Sequence, residues 1–187
     1  SALLLTAIDS TAVNLILTPI VKALHIHIAS SQWIINCFIL TYATWLIIGG
    51  KCGDLFGHRR VVILGLFAFS LGSVICAYSH TLLSLCIGRA IQGVGAGLMS
   101  PAAMTLLYHA FPQDKKGYVS GILSSTVAVA LAIGPCVGGV LAYLGSWRNL
   151  FYFNMLFGAC ALIYFYFFID KEVVGKKNTL AQLNIGA

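Results

Sequence analysis

Long apolar runs, broken by short polar stretches, account for nearly the whole chain. They cover residues 1–24, 32–50, 61–78, 82–107, 117–143 and 149–169. An α-helix needs about 20 mostly apolar residues to cross the hydrocarbon core of a bilayer, and each run meets or approaches that length. The pattern predicts an all-α membrane protein of six transmembrane helices. The breaks are short, as suits antiparallel neighbours in a bundle. Residues 170–187 are polar and mixed, and read as a cytoplasmic tail or a truncated linker. The chain opens on Ser1 with no signal-peptide pattern before the first run, so a processed or truncated start is expected.

Composition strengthens this picture. Of the 187 residues 59% are hydrophobic and 9% charged, against about 25% charged in a soluble domain. The formal net charge is +6. In a membrane protein such an excess orients the chain and does not point to nucleic acid. With the N-terminus in the cytoplasm, Lys51, Arg59, Arg60, Lys115, Lys116, Lys171, Lys176 and Lys177 fall inside. Only Lys22 and Arg148 then fall outside, which is the positive-inside pattern. Both termini are thus expected in the cytoplasm, in a multi-pass protein of the inner or plasma membrane. The six cysteines form no C-x-x-C pair and read as buried thiols acting as small hydrophobes. The five histidines fall in or beside predicted breaks. His25 and His27 lack a third ligand, so no metal site is expected.

Two charges lie inside apolar spans, where charge is costly and usually functional. One is Asp9 in the first helix and the other is Arg89 in the fourth. Thr6, Ser10, Asn14, Thr18 and Lys22 recur at every fourth position and form a polar stripe that Asp9 borders. The stripe, with Thr11 beside it, is expected to face the bundle interior or a wet cavity. Pro19 is expected to bend the outer part of that helix. In the fourth helix Arg89, Gly93, Ala96 and Ser100 share a face, with Gln92 at its edge. Arg89 needs a partner, and Asn14, Asp9 and Gln92 are candidates. At 1.5 Å per residue Arg89 lies roughly 10 Å below the outer end of its helix, Asn14 roughly 15 Å and Asp9 roughly 22 Å, which makes Asn14 the easier direct partner. Asp9 reads either as a tie between helices or as a carboxyl that gains and loses a proton, because desolvation favours its neutral form.

The fifth helix carries Thr126, Ala130, Gly134, Gly138 and Ala142 at every fourth position. Small stripes let helix backbones approach closely, and Pro135 favours a bend. The stretch from Gly50 to Arg60 reads as a short charged loop between helices two and three, with Asp54 placed to cap a helix or to pair with Arg59 or Arg60.

Together these pieces resemble the major facilitator superfamily, and within it the fourteen-helix drug:proton antiporters. Gly50, Asp54, Gly57 and Arg59 match the pattern G-x-L-x-D-x-x-G-R-R between helices two and three, with Cys52 in place of the usual Leu and His58 in place of the first usual basic residue. Ile8 to Asn14 resembles the first-helix pattern L-D-x-T-I-V-N, although Pro19 falls one place late. Arg89 to Ala96 is similar to R-x-x-Q-G-x-G-A of the fourth helix. Gly134, Pro135, Gly138 and Gly139 are similar to the antiporter pattern of the fifth, with Ala130 where a glycine is frequent. Trp147, Arg148, Phe151 and Asn154 resemble W-R-x-x-F-x-x-N at the start of the sixth.

The resemblance implies the N-terminal half of a proton-coupled exporter of drugs or other amphipathic molecules, working by alternating access between two bundles. It implies proton coupling at Asp9 and Arg89, and a polar cavity network of Asn14, Gln92, Ser10 and Thr11. It implies a cytoplasmic latch of Gly50, Asp54, Gly57, Arg59 and Arg60, and an antiporter motif of Gly134, Pro135, Gly138 and Gly139. Its expected partners are membrane lipid, a small amphipathic substrate and a C-terminal bundle; the proton gradient takes the place of a cofactor. The cargo stays open, with a metabolite or siderophore as alternatives. So does a half-length protein that binds or regulates a partner without transporting. An enzyme is not expected: no nucleophile with a base stands out, and Gly93, Gly95 and Gly97 lie in a spanning helix, not after a strand as a nucleotide fingerprint requires.

Overall fold

The structure, a computed structural model, describes residues 2–143 and 145–168. Ser1, Ile169 and the tail expected at 170–187 lie outside the described residues. Six long helices follow in order: α1 (Ala2–Leu24), α2 (Ile28–Phe56), α3 (His58–Ala77), α4 (Leu82–Ala110), α5 (Lys116–Tyr143) and α6 (Arg148–Phe168). All six are long and apolar enough to cross a membrane, and no strand occurs among the described residues. In lipid every backbone polar group must be satisfied within the segment, so apolar runs of this length become helices.

α4 packs most closely against α2 and α3, α3 also holds α6, and α1 pairs with α5. Glycine makes these approaches possible. A Cβ on Gly97 would meet the Tyr42 carbonyl of α2 at 2.8 Å, and one on Gly72 the Gly88 carbonyl of α4 at 2.6 Å. Short connections hold the ends. Thr81 caps α4 in a reciprocal capping box with Ser84. Arg148 donates to the Ser79 carbonyl at 2.7 Å, which ties the start of α6 to the α3–α4 turn. Asn149 donates to the Leu141 carbonyl at 3.2 Å in the last turn of α5.

The core is divided in two. One apolar cluster, at the end where α3 begins, contains Leu5, Val62, Leu66, Phe69, Met99 and Ala161. The other, at the opposite end, contains Ile16, Ile20, Ile34, Leu85, Leu150 and Phe151. Between them α1, α3, α4 and α6 each place a fully buried polar residue: Asp9, Ser73, the pair Arg89 and Gln92, and Asn154.

The outer faces differ. Leu64, Phe67 and Leu71 of α3 and Leu156, Phe157 and Ile163 of α6 are exposed, with Tyr152, Tyr164 and Tyr166 also exposed on α6. Ser10, Asn14, Thr18 and Lys22 of α1 are also exposed, beside Gly121, Ser124, Ser125 and Ala128 of α5. Thr6, the first residue of the polar stripe, is buried, but from Ser10 to Lys22 the stripe does not enter the bundle interior. The buried face of α1 is the line Leu5, Asp9, Val13, Ile16 and Ile20, at the spacing of one helix face. Asp9 sits on the apolar line. The cysteines are only partly as expected: all are free, Cys76 is buried, and Cys136 and Cys160 are exposed.

Candidate functional site

The polar layer between the two clusters is the candidate site, and Arg89 organises it. Arg89 Nη1 donates to Asp9 Oδ2 at 2.6 Å and to Gln92 Oε1 at 2.8 Å. Its Nε reaches the Ile34 carbonyl of α2 at 3.4 Å, and its guanidinium lies 4.2 Å from the centroid of the Phe38 ring. Gln92 Nε2 donates to Ser73 Oγ at 2.7 Å, and that hydroxyl donates to the Phe69 carbonyl at 2.8 Å. On the far side of Asp9, Asn154 Nδ2 donates to Oδ1. Five helices thus meet in one network, with α5 outside it. A buried charge is tolerated only when paired and hydrogen-bonded, and both members of the Asp9–Arg89 pair meet that condition.

This corrects the expectation for Arg89: its partner is Asp9, not Asn14. Asn14 is exposed and donates to the Ser10 carbonyl of its own helix at 3.2 Å. Depth along the helix favoured Asn14, but facing decides, since Asn14 points out of the bundle. Ser10 is likewise exposed, and its hydroxyl donates back to the Thr6 carbonyl at 2.7 Å. Thr11 is half-buried and lies against Gly134 of α5. Of the four residues expected in the polar network, only Gln92 belongs to the layer. Asn154 and Ser73 belong to it without having been singled out as site residues. For Asn154 the signal was there, as an amide on the apolar line Leu150, Phe151, Asn154 and Ala161. A lone serine in an apolar helix gives no comparable signal.

On α5, Gly134 and Gly138 are buried against α1. A Cβ on Gly138 would meet the Ala12 carbonyl at 2.8 Å, and one on Gly134 the Ile8 carbonyl at 3.1 Å. Gly139 faces outward, with only Leu15 within 4 Å of such an atom. The helix continues through Pro135. Near the start of α5 an apolar groove of about 610 Å³ opens between α1 and α5, with Leu4, Ile8, Ile122 and Val129 on its walls beside the hydroxyls of Ser125 and Thr126.

The stretch from Gly50 to Arg60 is not a loop. α2 runs through Gly50 and Asp54 to Phe56, and α3 begins at His58. The break is Gly57 alone, at φ 90°, a left-handed region that glycine enters without steric cost. Its N–H still bonds the Gly53 carbonyl at 3.0 Å, so the helical ladder runs up to the corner. Asp54 neither caps α3 nor pairs with Arg59 or Arg60. Its Oδ1 faces His58 Nε2 at 3.5 Å. The His58 ring meets His109 of α4 edge to face, 6.0 Å between centroids. Arg59 reaches α6 instead, donating to the Tyr166 carbonyl at 2.9 Å. A Cβ on Gly50 would meet nothing within 4 Å; the close approach next to it is made by Gly49, against the Gly97 carbonyl at 2.5 Å.

Six apolar helices around a buried, ion-paired polar layer define a multi-pass integral membrane protein. The sequence profile of the Major Facilitator Superfamily matches residues 1–184, and the chain belongs to that family. The family is one of transporters, not enzymes, and its transporters generally need no cofactor. The chain is 35% identical over 176 residues to the Methylenomycin A resistance protein of Bacillus subtilis (strain 168), covering 94% of this chain and 38% of that protein. It is 36% identical over 160 residues to the Tetracenomycin C resistance and export protein of Streptomyces glaucescens, covering 86% of this chain and 30% of that protein. It therefore spans about a third of the length of these relatives. In fold it is similar to an inward-facing, occupied bacterial homolog of the human lysosomal transporter Spinster. The TM-score there is 0.80 at 19% identity, over 93% of this chain and 43% of that one.

Proposed function

We propose that this chain is one six-helix half of a proton-coupled antiporter that exports drugs or other amphipathic organic molecules. The buried Asp9–Arg89 pair carries the reading: it is an ionisable contact between two helices, closed off between apolar clusters. A proton arriving on Asp9 removes the negative charge that holds Arg89 and weakens the tie between α1 and α4. Proton binding then biases the bundle between two arrangements, which is what coupling requires. The names of the resistance and export relatives support an organic cargo, and an apolar groove with a few hydroxyls suits amphipathic molecules.

The outer faces support a second bundle as partner. Lipid suits α3 and α6, whereas the polar stripe of α1 and the small residues of α5 suit a water-lined passage closed by another bundle. Gly134 and Gly138, with Pro135 and Gly139 beside them, keep α1 and α5 close enough to move as one unit during that closure. Asp54, Gly57, Arg59 and Arg60, with Gly50 a turn before, form a latch at the cytoplasmic end, and the basic residues keep that end and both termini inside.

The test is Asp9→Asn in the full-length protein, reconstituted in vesicles. Export driven by a proton gradient and substrate-dependent proton release should both be lost, while cargo still binds. Undiminished proton-driven export would overturn the proposal.

A further inference from the structure

We infer that Asn154 is the positioning residue that serves both protonation states of Asp9, by turning its side-chain amide over. The inference rests on the proposed proton role of Asp9. An ionised carboxylate only accepts hydrogen bonds, whereas a protonated one must also donate its O–H. A neighbour that serves both states has to present a donor to the first and an acceptor to the second.

The groups around Asp9 differ in this respect. Arg89 has donors only. Gln92 is committed at both ends: its Oε1 accepts from Arg89 and lies 3.7 Å from the Cys76 thiol, and its Nε2 donates to Ser73. Ser73 in turn spends its proton on the Phe69 carbonyl. Asn154 alone has capacity to spare. Its Nδ2 donates to Asp9 Oδ1, while its own Oδ1 is buried and finds no partner among the described residues. A rotation of about 180° about the last side-chain bond exchanges two ends of nearly equal size. It places Asn154 Oδ1 where Nδ2 was, ready to accept from an O–H on Asp9.

The proton balance is simple. One proton enters and bonds to Asp9 Oδ1; nothing else is made or broken except hydrogen bonds. Arg89 keeps its positive charge and is not stranded, because the Gln92 oxygen, the Ile34 carbonyl and the Phe38 ring still surround it. The contact that changes partners is the one between α1 and α6. The ionisable groups facing Asp9 are Arg89 from α4 and the Cys76 thiol from α3. α6 faces it with Asn154, α2 faces the pair with Ile34 and Phe38, and α5 meets α1 nearby through Gly134 and Gly138.

Infrared difference spectra of the reconstituted full-length protein, stepped between high and low pH, test this without relying on transport. The acid carbonyl band of Asp9 is identified by its loss in Asp9→Asn. In the unmutated protein the Asn154 amide bands, recognised by their shift on ¹⁵N-asparagine labelling and their absence in Asn154→Thr, should change together with that acid band. In Asn154→Leu the amide signal disappears and the acid band shifts to the position of an unbonded acid. In Asn154→Thr, whose hydroxyl can donate or accept, the acid band returns to its bonded position. An acid band that forms with no amide change, or that is identical in Asn154→Leu, overturns the inference and leaves the proton role standing. If Asp9 forms no acid band at any pH, the proton role fails and this inference with it. Should Asn154→Leu not fold, the amide change in the unmutated protein decides alone.

Discussion

Two regions of this molecule carry its charged motifs, and the fold treats them oppositely. In the polar layer Asp9, Arg89, Gln92 and Asn154 are fully buried and each is bonded to a different helix. At the α2–α3 corner Asp54 has 77% of its side chain exposed, and its one ion pair among the described residues is with the histidine four residues on. The layer is fixed by the bundle itself, so its geometry is a property of the fold. The corner leaves Asp54 exposed, with hydrogen-bonding capacity that the bundle does not fill. Similar residue types thus form a buried tie between helices in one place and an exposed local contact in the other.

The largest effect that would break this comparison is on the layer. Arg89→Ala leaves Asp9 buried with only Asn154, and removing one member of a buried pair costs about 3–5 kcal/mol. Thermal unfolding in detergent should show that loss. The double variant Asp9→Leu with Arg89→Met should regain most of it, because replacing a whole buried pair by apolar groups is often neutral or better. An Arg89→Ala protein as stable as the parent would mean that the pair is not the tie described.

Gln92→Leu comes next. It removes the second acceptor of Arg89 and the donor to Ser73 while keeping the volume. Leaving buried polar groups unpaired costs about 1–3 kcal/mol each. The same unfolding measurement should place this variant between Arg89→Ala and the parent. It should also show whether Ser73, at the far end of the network, is part of one unit: Ser73→Ala added to Gln92→Leu should then cost less than it does alone.

The sequence made the helices legible because hydrocarbon leaves a long apolar run no other structure. It also made Asp9 and Arg89 stand out, since charge inside such runs is rare. It misled in two places for physical reasons. The polar stripe of α1 was expected to face the bundle interior or a wet cavity; from Ser10 to Lys22 it lies outside the bundle interior, and the buried charge lies on the apolar line with Val13, Ile16 and Ile20. The run of glycines and charges from Gly50 to Arg60 looks like a loop, yet the helical ladder survives every glycine except Gly57, the only one of them at positive φ. Contacts such as Asn154 with Asp9 join residues 145 positions apart, and no local pattern specifies them.

A smaller effect belongs to the boundary between the two regions. Arg59 lies beside the corner but is tied into the bundle through the Tyr166 carbonyl. Hydrogen bonds from a charged donor contribute about 1.5–3 kcal/mol when buried. This one is partly exposed, so Arg59→Ala should cost about 1 kcal/mol. A loss as large as that of Gln92→Leu would move Arg59 from the corner into the layer.

Asp54 gives the smallest effect on stability and the sharpest contrast. Exposed ion pairs contribute about 0–1 kcal/mol, and its contact with His58 at 3.5 Å is a long one. Asp54→Ala should therefore unfold within about 1 kcal/mol of the parent, with its helix content unchanged. As part of a latch, however, Asp54 should alter the rate at which the full-length protein exchanges its two access states. Transport rates measured in vesicles should then change while unfolding does not. Arg89→Ala cannot show this separation, because it leaves a buried carboxylate without its cation and lowers stability as well. If Asp54→Ala leaves transport rates unchanged as well, the latch fails, and the corner is only the turn that Gly57 permits.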